Sequence, residues 1–175
     1  MTILNMKKII FIIILVLAAG GFFFLPAVSV LSLSGRKAPD QVFYSAAAYK
    51  EGFIISYTHS VNKGRVHDYY RFLKDGTLEL YKTQFVSYGA GIPEAEETPG
   101  AFFIVTDDGY FIENLNRRVP RLTMAVGIVA NHSIATGSEM KSEKELFFTD
   151  FFKPQTSIIL EYKKVSLFRY LKHRL

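Results

Sequence analysis

Between residues 42 and 165 the chain alternates short apolar runs with turn signals every eight to twelve residues, and this rhythm predicts strands. Val42–Ala48 is the first run, closed by Lys50-Glu51-Gly52. Phe53–His59 is the second, with Phe53, Ile55, Tyr57 and His59 on one face. Arg65–Phe72 and Thr77–Val86 follow, joined through Lys74-Asp75-Gly76, where Asp-Gly is a strong hairpin signal. Phe102–Thr106 and Tyr110–Glu113 flank Asp107-Asp108-Gly109. Arg121–Val126, Ile128–Ser133 and Gln155–Val165 complete the set. Between Met140 and Phe152 the pattern is weak, and a short helix capped by Ser142 with Glu145 three residues on is its best reading. No βαβ rhythm and no internal repeat occurs, so the expected fold is all-β, an antiparallel β-sandwich or barrel-like domain.

The N-terminus breaks this rhythm. Residues 1–8 are a basic end, and Ile9 to Val28 carries no charge. Twenty such residues make about 30 Å of helix, enough to cross a bilayer core. A cleaved signal peptide ending near Ala27-Val28-Ser29 is the competing reading, and an uncleaved anchor is preferred because the apolar run exceeds a usual signal core. Lys7 and Lys8 precede the run, so the N-terminus is expected in the cytoplasm and the body outside it, on a single-pass inner-membrane protein. Residues 29–40 read as a polar linker, 41–165 as the β domain and 166–175 as a basic amphipathic tail. If helical, that tail sets Leu167, Phe168, Leu171 and Leu175 on one face and has two readings: contact with an anionic membrane surface, or a terminal helix packing its Leu and Phe on the sheet.

Charge and composition narrow the function. The net charge of +5 comes from the two ends: Lys7 and Lys8, then Lys163, Lys164, Arg169, Lys172 and Arg174. The body between them is slightly acidic, which argues against nucleic acid as a partner. The absence of Cys rules out disulfides, thiolate metal sites and a thiol nucleophile.

Candidate chemistry gathers in Tyr57–Tyr70, YTHSVNKGRVHDYY. A three-residue loop Asn62-Lys63-Gly64 is the preferred turn and sets His59 opposite His67. A two-residue loop Lys63-Gly64 sets His59 opposite Asp68. The first pair suits a metal and the second a general base, while a half-buried strand histidine bonded to a carbonyl is the plainer alternative. His59 and Ser60 are neighbours on a strand and point to opposite faces, so they do not make a nucleophile–base pair, and no G-x-S-x-G elbow exists. The glycines of Gly89-Ala90-Gly91-Ile92-Pro93 permit close backbone approach to an anion, or serve a bulged turn. His132 is a third histidine for a shared site with His59 and His67 or Asp68 if the fold brings them together. No cofactor or resident metal is expected from these residues.

The blocks Tyr57-Thr58-His59-Ser60-Val61, Val66-x-Asp68-x-Tyr70, Phe85-x-Ser87-Tyr88-Gly89-Ala90-Gly91-Ile92-Pro93 and Val126-Gly127-x-x-Ala130-Asn131-His132 resemble a bacterial domain-of-unknown-function family, numbered eighteen-fifty. The chain departs from that pattern at Arg65, where Pro is common, and at Asp68, where Glu is usual. The resemblance implies an N-terminal membrane segment and a genetic neighbourhood beside TAXI-type TRAP transporters for organic anions. It implies no activity. The positions it points to are His59, Ser60, Asp68, Gly89, Ala90, Gly91, Pro93 and His132. The function expected is that of a membrane-anchored accessory or ligand-binding partner of such a transporter. A metal- or His/Asp-dependent hydrolase and a purely structural envelope domain are the alternatives.

Overall fold

The computed structural model describes residues 3–46, 52–87, 98–107, 109–137 and 145–175. Helix α1 (Ile3–Phe24) opens the chain, and strand β1 (Pro26–Gly35) begins after Leu25 alone. Then come β2 (Ala38–Ala46), β3 (Phe53–Thr58), β4 (Arg65–Phe72), β5 (Leu78–Phe85), β6 (Phe102–Thr106), β7 (Gly109–Val119), β8 (Leu122–Ala125), β9 (Ser133–Thr136), β10 (Leu146–Phe147), β11 (Ser157–Ser166) and α2 (Leu167–His173). The strands form two antiparallel sheets, a four-stranded one ordered β2-β1-β11-β8 and a seven-stranded one ordered β10-β9-β3-β4-β5-β7-β6.

The sheets face each other. Leu31 and Leu33 of β1 and Ile158 and Leu160 of β11 meet Phe53, Ile55, Tyr70, Phe72, Leu78 and Ile134 of the larger sheet in one core. Phe53 is its centre, 1% exposed, with its ring stacked 5.1 Å from Tyr70 and tilted 5.4 Å from Phe72. The expected all-β antiparallel fold is therefore present, as a sandwich.

Three expectations change. Residues 29–40 are not a linker, because β1 and the start of β2 occupy them. Val28, Val30 and Leu31, with Ser29 between them, pair along β11 from Val28↔Val165 to Leu31↔Tyr162, which uses the apolar character that reads in sequence as the tail of a membrane segment. Ile128–His132 is not strand. It is part of the crossover from β8 in one sheet to β9 in the other, and Ile128 and Val129 are exposed in it. Crossing requires a tight turn: Asn131 takes a positive φ of 46°, and its N–H donates to Gly127 O at 3.1 Å. The tail is helical, as one reading had it, but packs differently from that reading. Tyr170, not Phe168, meets the sheet, against Val30, Tyr44 and Val165. The cap proposed at Ser142 lies outside the described residues.

Beyond Lys7 and Lys8, α1 is apolar all round. Its span Met6–Phe24 has a mean hydropathy of 2.2 and none of it is buried, so it is long and apolar enough to cross a membrane.

Candidate functional site

The β3–β4 hairpin is closed by a longer loop than either expected turn. Thr58 pairs with Arg65, Tyr57 with Val66, Ser56 with His67 and Ile55 with Asp68. Neither a His59–His67 nor a His59–Asp68 cross-strand pair forms. His59 instead starts the loop: its N–H donates to Gly64 O at 2.8 Å, and its carbonyl accepts from Lys63 N–H at 3.2 Å. Its Nδ1 accepts from the N–H groups of Val61 (3.3 Å) and Asn62 (3.4 Å), the job an Asp or Asn does at a helix start. Asn62 Oδ1 accepts from Gly64 N–H at 2.9 Å, and Lys63 adopts φ 59°. Asn-Lys-Gly thus serves the last corner of a helical turn rather than a three-residue hairpin loop. Ser60 is exposed on the loop, with its carbonyl bonded by Lys63 Nζ at 2.6 Å.

Asp68 faces inward. It shares its face with Ile55 on one side and Thr83 on the other, since paired residues of adjacent strands point the same way. Thr83 Oγ1 donates to Asp68 Oδ1 at 2.8 Å, and the Tyr57 hydroxyl bonds the same carboxyl group. Beside it opens a cavity of about 180 Å³, lined by Tyr57, His59, Asp68, Thr83, Thr98 and Arg117 over an apolar floor of Leu80, Phe85, Ile112 and Leu115. Asp68 opens onto this cavity but is otherwise enclosed by protein. Burial pushes its carboxyl up to about 6, against the bonds from Thr83 and Tyr57 and the charge of Arg117, which favour ionisation. Burial, and then the nearby Asp68 charge, raises Tyr57 well above the ordinary phenol value.

A bulge builds the cavity wall. Leu80 pairs with Arg117 but Lys82 pairs with Glu113, so residues 114–116 bulge against the single Tyr81. Asn114 (φ 61°) and Asn116 (φ 51°) take the two left-handed positions, which Asn tolerates better than most residues. Asn114 Nδ2 also donates to Gly100 O at 2.7 Å, tying the bulge to the segment that carries Thr98. Thr98 is 7% exposed, and its Oγ1 has no hydrogen-bond partner among the described residues. Native interiors seldom leave such a group unmatched, and this one belongs to the lining of the cavity.

His132 does not line this cavity. Its ring lies 5.8 Å from that of Tyr57 and 6.5 Å from that of Phe148, and its Nδ1 accepts from Gly127 N–H at 3.4 Å. Burial, helped by the Arg65 charge, lowers its pKa. So Tyr57 stands between Asp68 and His132, and the three imagined ligands do not converge. Among the described residues no three His, Cys, Asp or Glu side chains are placed to hold one metal. Gly89, Ala90, Gly91 and Pro93 lie outside the described residues.

A second polar cluster sits on the opposite face. Ser56 Oγ and His67 Nδ1 are 2.7 Å apart. Arg65 donates to Ser133 Oγ (2.7 Å), Glu145 Oε1 (2.8 Å) and Asn131 O (2.8 Å), and Ser133 Oγ donates to Glu145. Burial opposes the charge on Glu145, but the bonds from Ser133 and Arg65 and the Arg65 charge outweigh it and hold the carboxyl below its ordinary value. Burial, then Arg65, lowers His67 despite Glu145. Among the described residues, the serine–histidine pair is thus Ser56 with His67, not Ser60 with His59. At 1% exposure, Ser56 leaves no approach for a substrate carbonyl. A wider groove of about 370 Å³ lies on the same face. Its two cationic groups are engaged by protein: Arg71 with Glu79, and Lys82 over the rings of Tyr69 and Phe111. The inner cavity, with an unmatched hydroxyl and a desolvated acid, is the stronger site.

Tyr57, Thr83, Thr98 and Arg117 are absent from the sequence expectation for the site. The turn between β4 and β5 alone would set Lys82 opposite Asp68, and the register shift at Tyr81 brings Thr83 there instead. Thr98 and Arg117 reach the cavity through the bulge, which leaves only Asn-Leu-Asn in the sequence as its trace.

No curated protein and no solved structure matches the chain. Residues 53–141, half of the chain, match the family described as domain of unknown function (DUF1850). They carry β3 to β9, the His59 loop, Asp68, Thr98 and Arg117, and the chain belongs to that family.

Proposed function

We propose that the protein is a membrane-tethered binding domain, held outside the cytoplasm by α1, that takes a small polar solute into the Asp68 cavity as an accessory of a TRAP-type solute transporter. The observation that carries the binding role is the buried Thr98 hydroxyl, unmatched among the described residues, in a cavity that also holds a desolvated carboxyl group. A volume of about 180 Å³ is that of a handful of waters, well below drug-sized pockets of roughly 300–1,000 Å³. The occupant is therefore small, with an apolar side for Leu80, Phe85, Ile112 and Leu115, an anionic or carbonyl oxygen for Arg117, and a hydrogen-bonding group for Asp68. Lys7 and Lys8 in the first turn of the span support an outside location for the body. The family resemblance supports the transporter as partner.

Two measurements test this. The full chain in detergent is melted with small amino acids and with short-chain hydroxy and keto acids. At least one compound should raise Tm in the wild type and not in Thr98→Val or Asp68→Asn. A panel that moves all three chains equally would remove the cavity as the site. Affinity capture from membranes should retain transporter subunits. If none co-purifies and uptake survives deletion of the gene, the accessory role falls while the binding role stands.

A further inference from the structure

The last nine residues are joined to the domain on one side and left open on the other. Tyr170 packs with Val30, Tyr44 and Val165, the His173 ring lies 5.7 Å from that of Tyr44, and Leu175 N–H donates to Tyr44 O at 3.0 Å. At 100° per residue this sets Phe168 and Leu171 away from the sheet, beside Lys172 and Arg169. Phe168 and Leu171 on the helix and Leu175 just beyond it are 45%, 47% and 40% exposed, an unusual disposition for three large apolar side chains so close together.

What lies next to that face is the end of α1. The Phe168 ring is 6.0 Å from that of Phe23 and 5.5 Å from that of Phe24. Phe22, Phe24 and Leu25 are themselves exposed there. α1 is about 33 Å long at its 22 residues, so its last turn marks the level at which it would leave the hydrocarbon core. α2 is at that level. No acidic residue occurs after Glu161, while Lys163, Lys164, Arg169, Lys172 and Arg174 all do. Of these, Lys163 is bonded to Glu161 at 2.6 Å.

We propose that α2 lies in the interface of an anionic membrane, with Phe168 and Leu171 among the acyl chains beside the end of α1 and with Arg169, Lys172 and Arg174 on lipid phosphate groups. The apolar side chains are continuous with the surface of the span, and the basic ones complement anionic headgroups and nothing acidic nearby in sequence. The domain is then fastened to the bilayer at two points. The inference rests on reading α1 as a membrane span, and the experiment separates the two.

The chain contains no Trp, so Leu171→Trp is a lone reporter. The full chain carrying it is reconstituted into vesicles of phosphatidylcholine, or of phosphatidylcholine and phosphatidylglycerol in equal parts, each with brominated acyl chains. The expected result is blue-shifted, quenched emission, with quenching stronger in the anionic vesicles and that gain lost in an added Arg169→Glu/Lys172→Glu pair. Val105→Trp, on the exposed strand β6, should stay unquenched. If Leu171→Trp does not fold, Phe168→Trp reports from the same face. Emission typical of water, with no quenching in either vesicle, overturns the inference and marks the face as a protein-binding one. Equal quenching in both vesicles overturns the assignment of the basic residues to lipid phosphate. Alkaline extraction is run alongside: a chain that stays with the vesicles while its Trp is unquenched refutes α2 alone, and a chain released by alkali refutes the span as well.

Discussion

A carboxyl group raised from 3.8 to about 6 binds its proton more tightly in the folded chain than in the unfolded one. The folded state is therefore favoured at low pH by this group, and the advantage is lost as pH rises from about 4 to about 6. Above that range, keeping Asp68 ionised costs at most about 3 kcal/mol, an upper limit because the cavity admits water. Asp68→Asn removes the charge but keeps an oxygen for Thr83. It should be more stable than the wild type at about pH 8, with the gap closing towards pH 4. Urea unfolding of both chains at the two pH values checks this, and a gap independent of pH would contradict it. His67 and His132 act with the opposite sign. Their lowered pKa values make stability fall as pH drops through the ordinary histidine range, but they are common to both chains and cancel in the difference. Thr98→Val belongs to the same account. Replacing a buried, unmatched hydroxyl with an isosteric apolar group should raise the stability of the empty protein by about 1 kcal/mol. Two substitutions at one cavity that stabilise the fold and abolish binding would mark it as a site held against stability.

At the scale of the element, the β3–β4 loop depends on His59 as a cap. His59→Ala should cost about 1 kcal/mol, since the amides of Val61 and Asn62 lose their side-chain acceptor, whereas His59→Asn should restore most of it. Equal losses in both, read from Tm, would reject the capping role. The same loop shows what a sequence can and cannot disclose. β4 and β6 are legible to the residue, because each is a short run between turn signals. The turn inside Tyr57–Tyr70 is not, since Asn-Lys-Gly suits both a hairpin corner and the end of a helical turn, and only the side-chain bonds of His59 and Asn62 decide. β1 escapes notice because Pro26 to Leu33 continues the uncharged character of α1, and pairing with β11, more than a hundred residues away, makes it a strand. Asp68 is legible as a candidate, but its partners are not. Thr83, Thr98 and Arg117 come from three later segments, positioned by a bulge that no local periodicity encodes.

The whole molecule does not divide where the family boundary falls. Residues 53–141 hold most of the larger sheet but only β8 of the smaller one. Leu31, Leu33, Ile158 and Leu160, which cover Phe53, Ile55, Phe72 and Leu78, all come from outside that segment. The segment expressed alone should therefore be unfolded or aggregated, because the apolar face of its sheet would be left in water. Dispersed amide resonances from a monomeric 53–141 fragment would refute this.

The junction of α1 and β1 also governs how the protein meets anything else. With Leu25 alone between helix and strand, the domain has no leash. A flexible linker of a dozen residues would let it roam roughly 20 Å from its anchor. Without one, and with α1 across a bilayer as proposed, the domain would be a post whose cavity is carried at one height and one tilt. Encounters with a partner in the same membrane would then become a search in two dimensions by bodies that already share an orientation, so a face too weak to bind from solution could suffice.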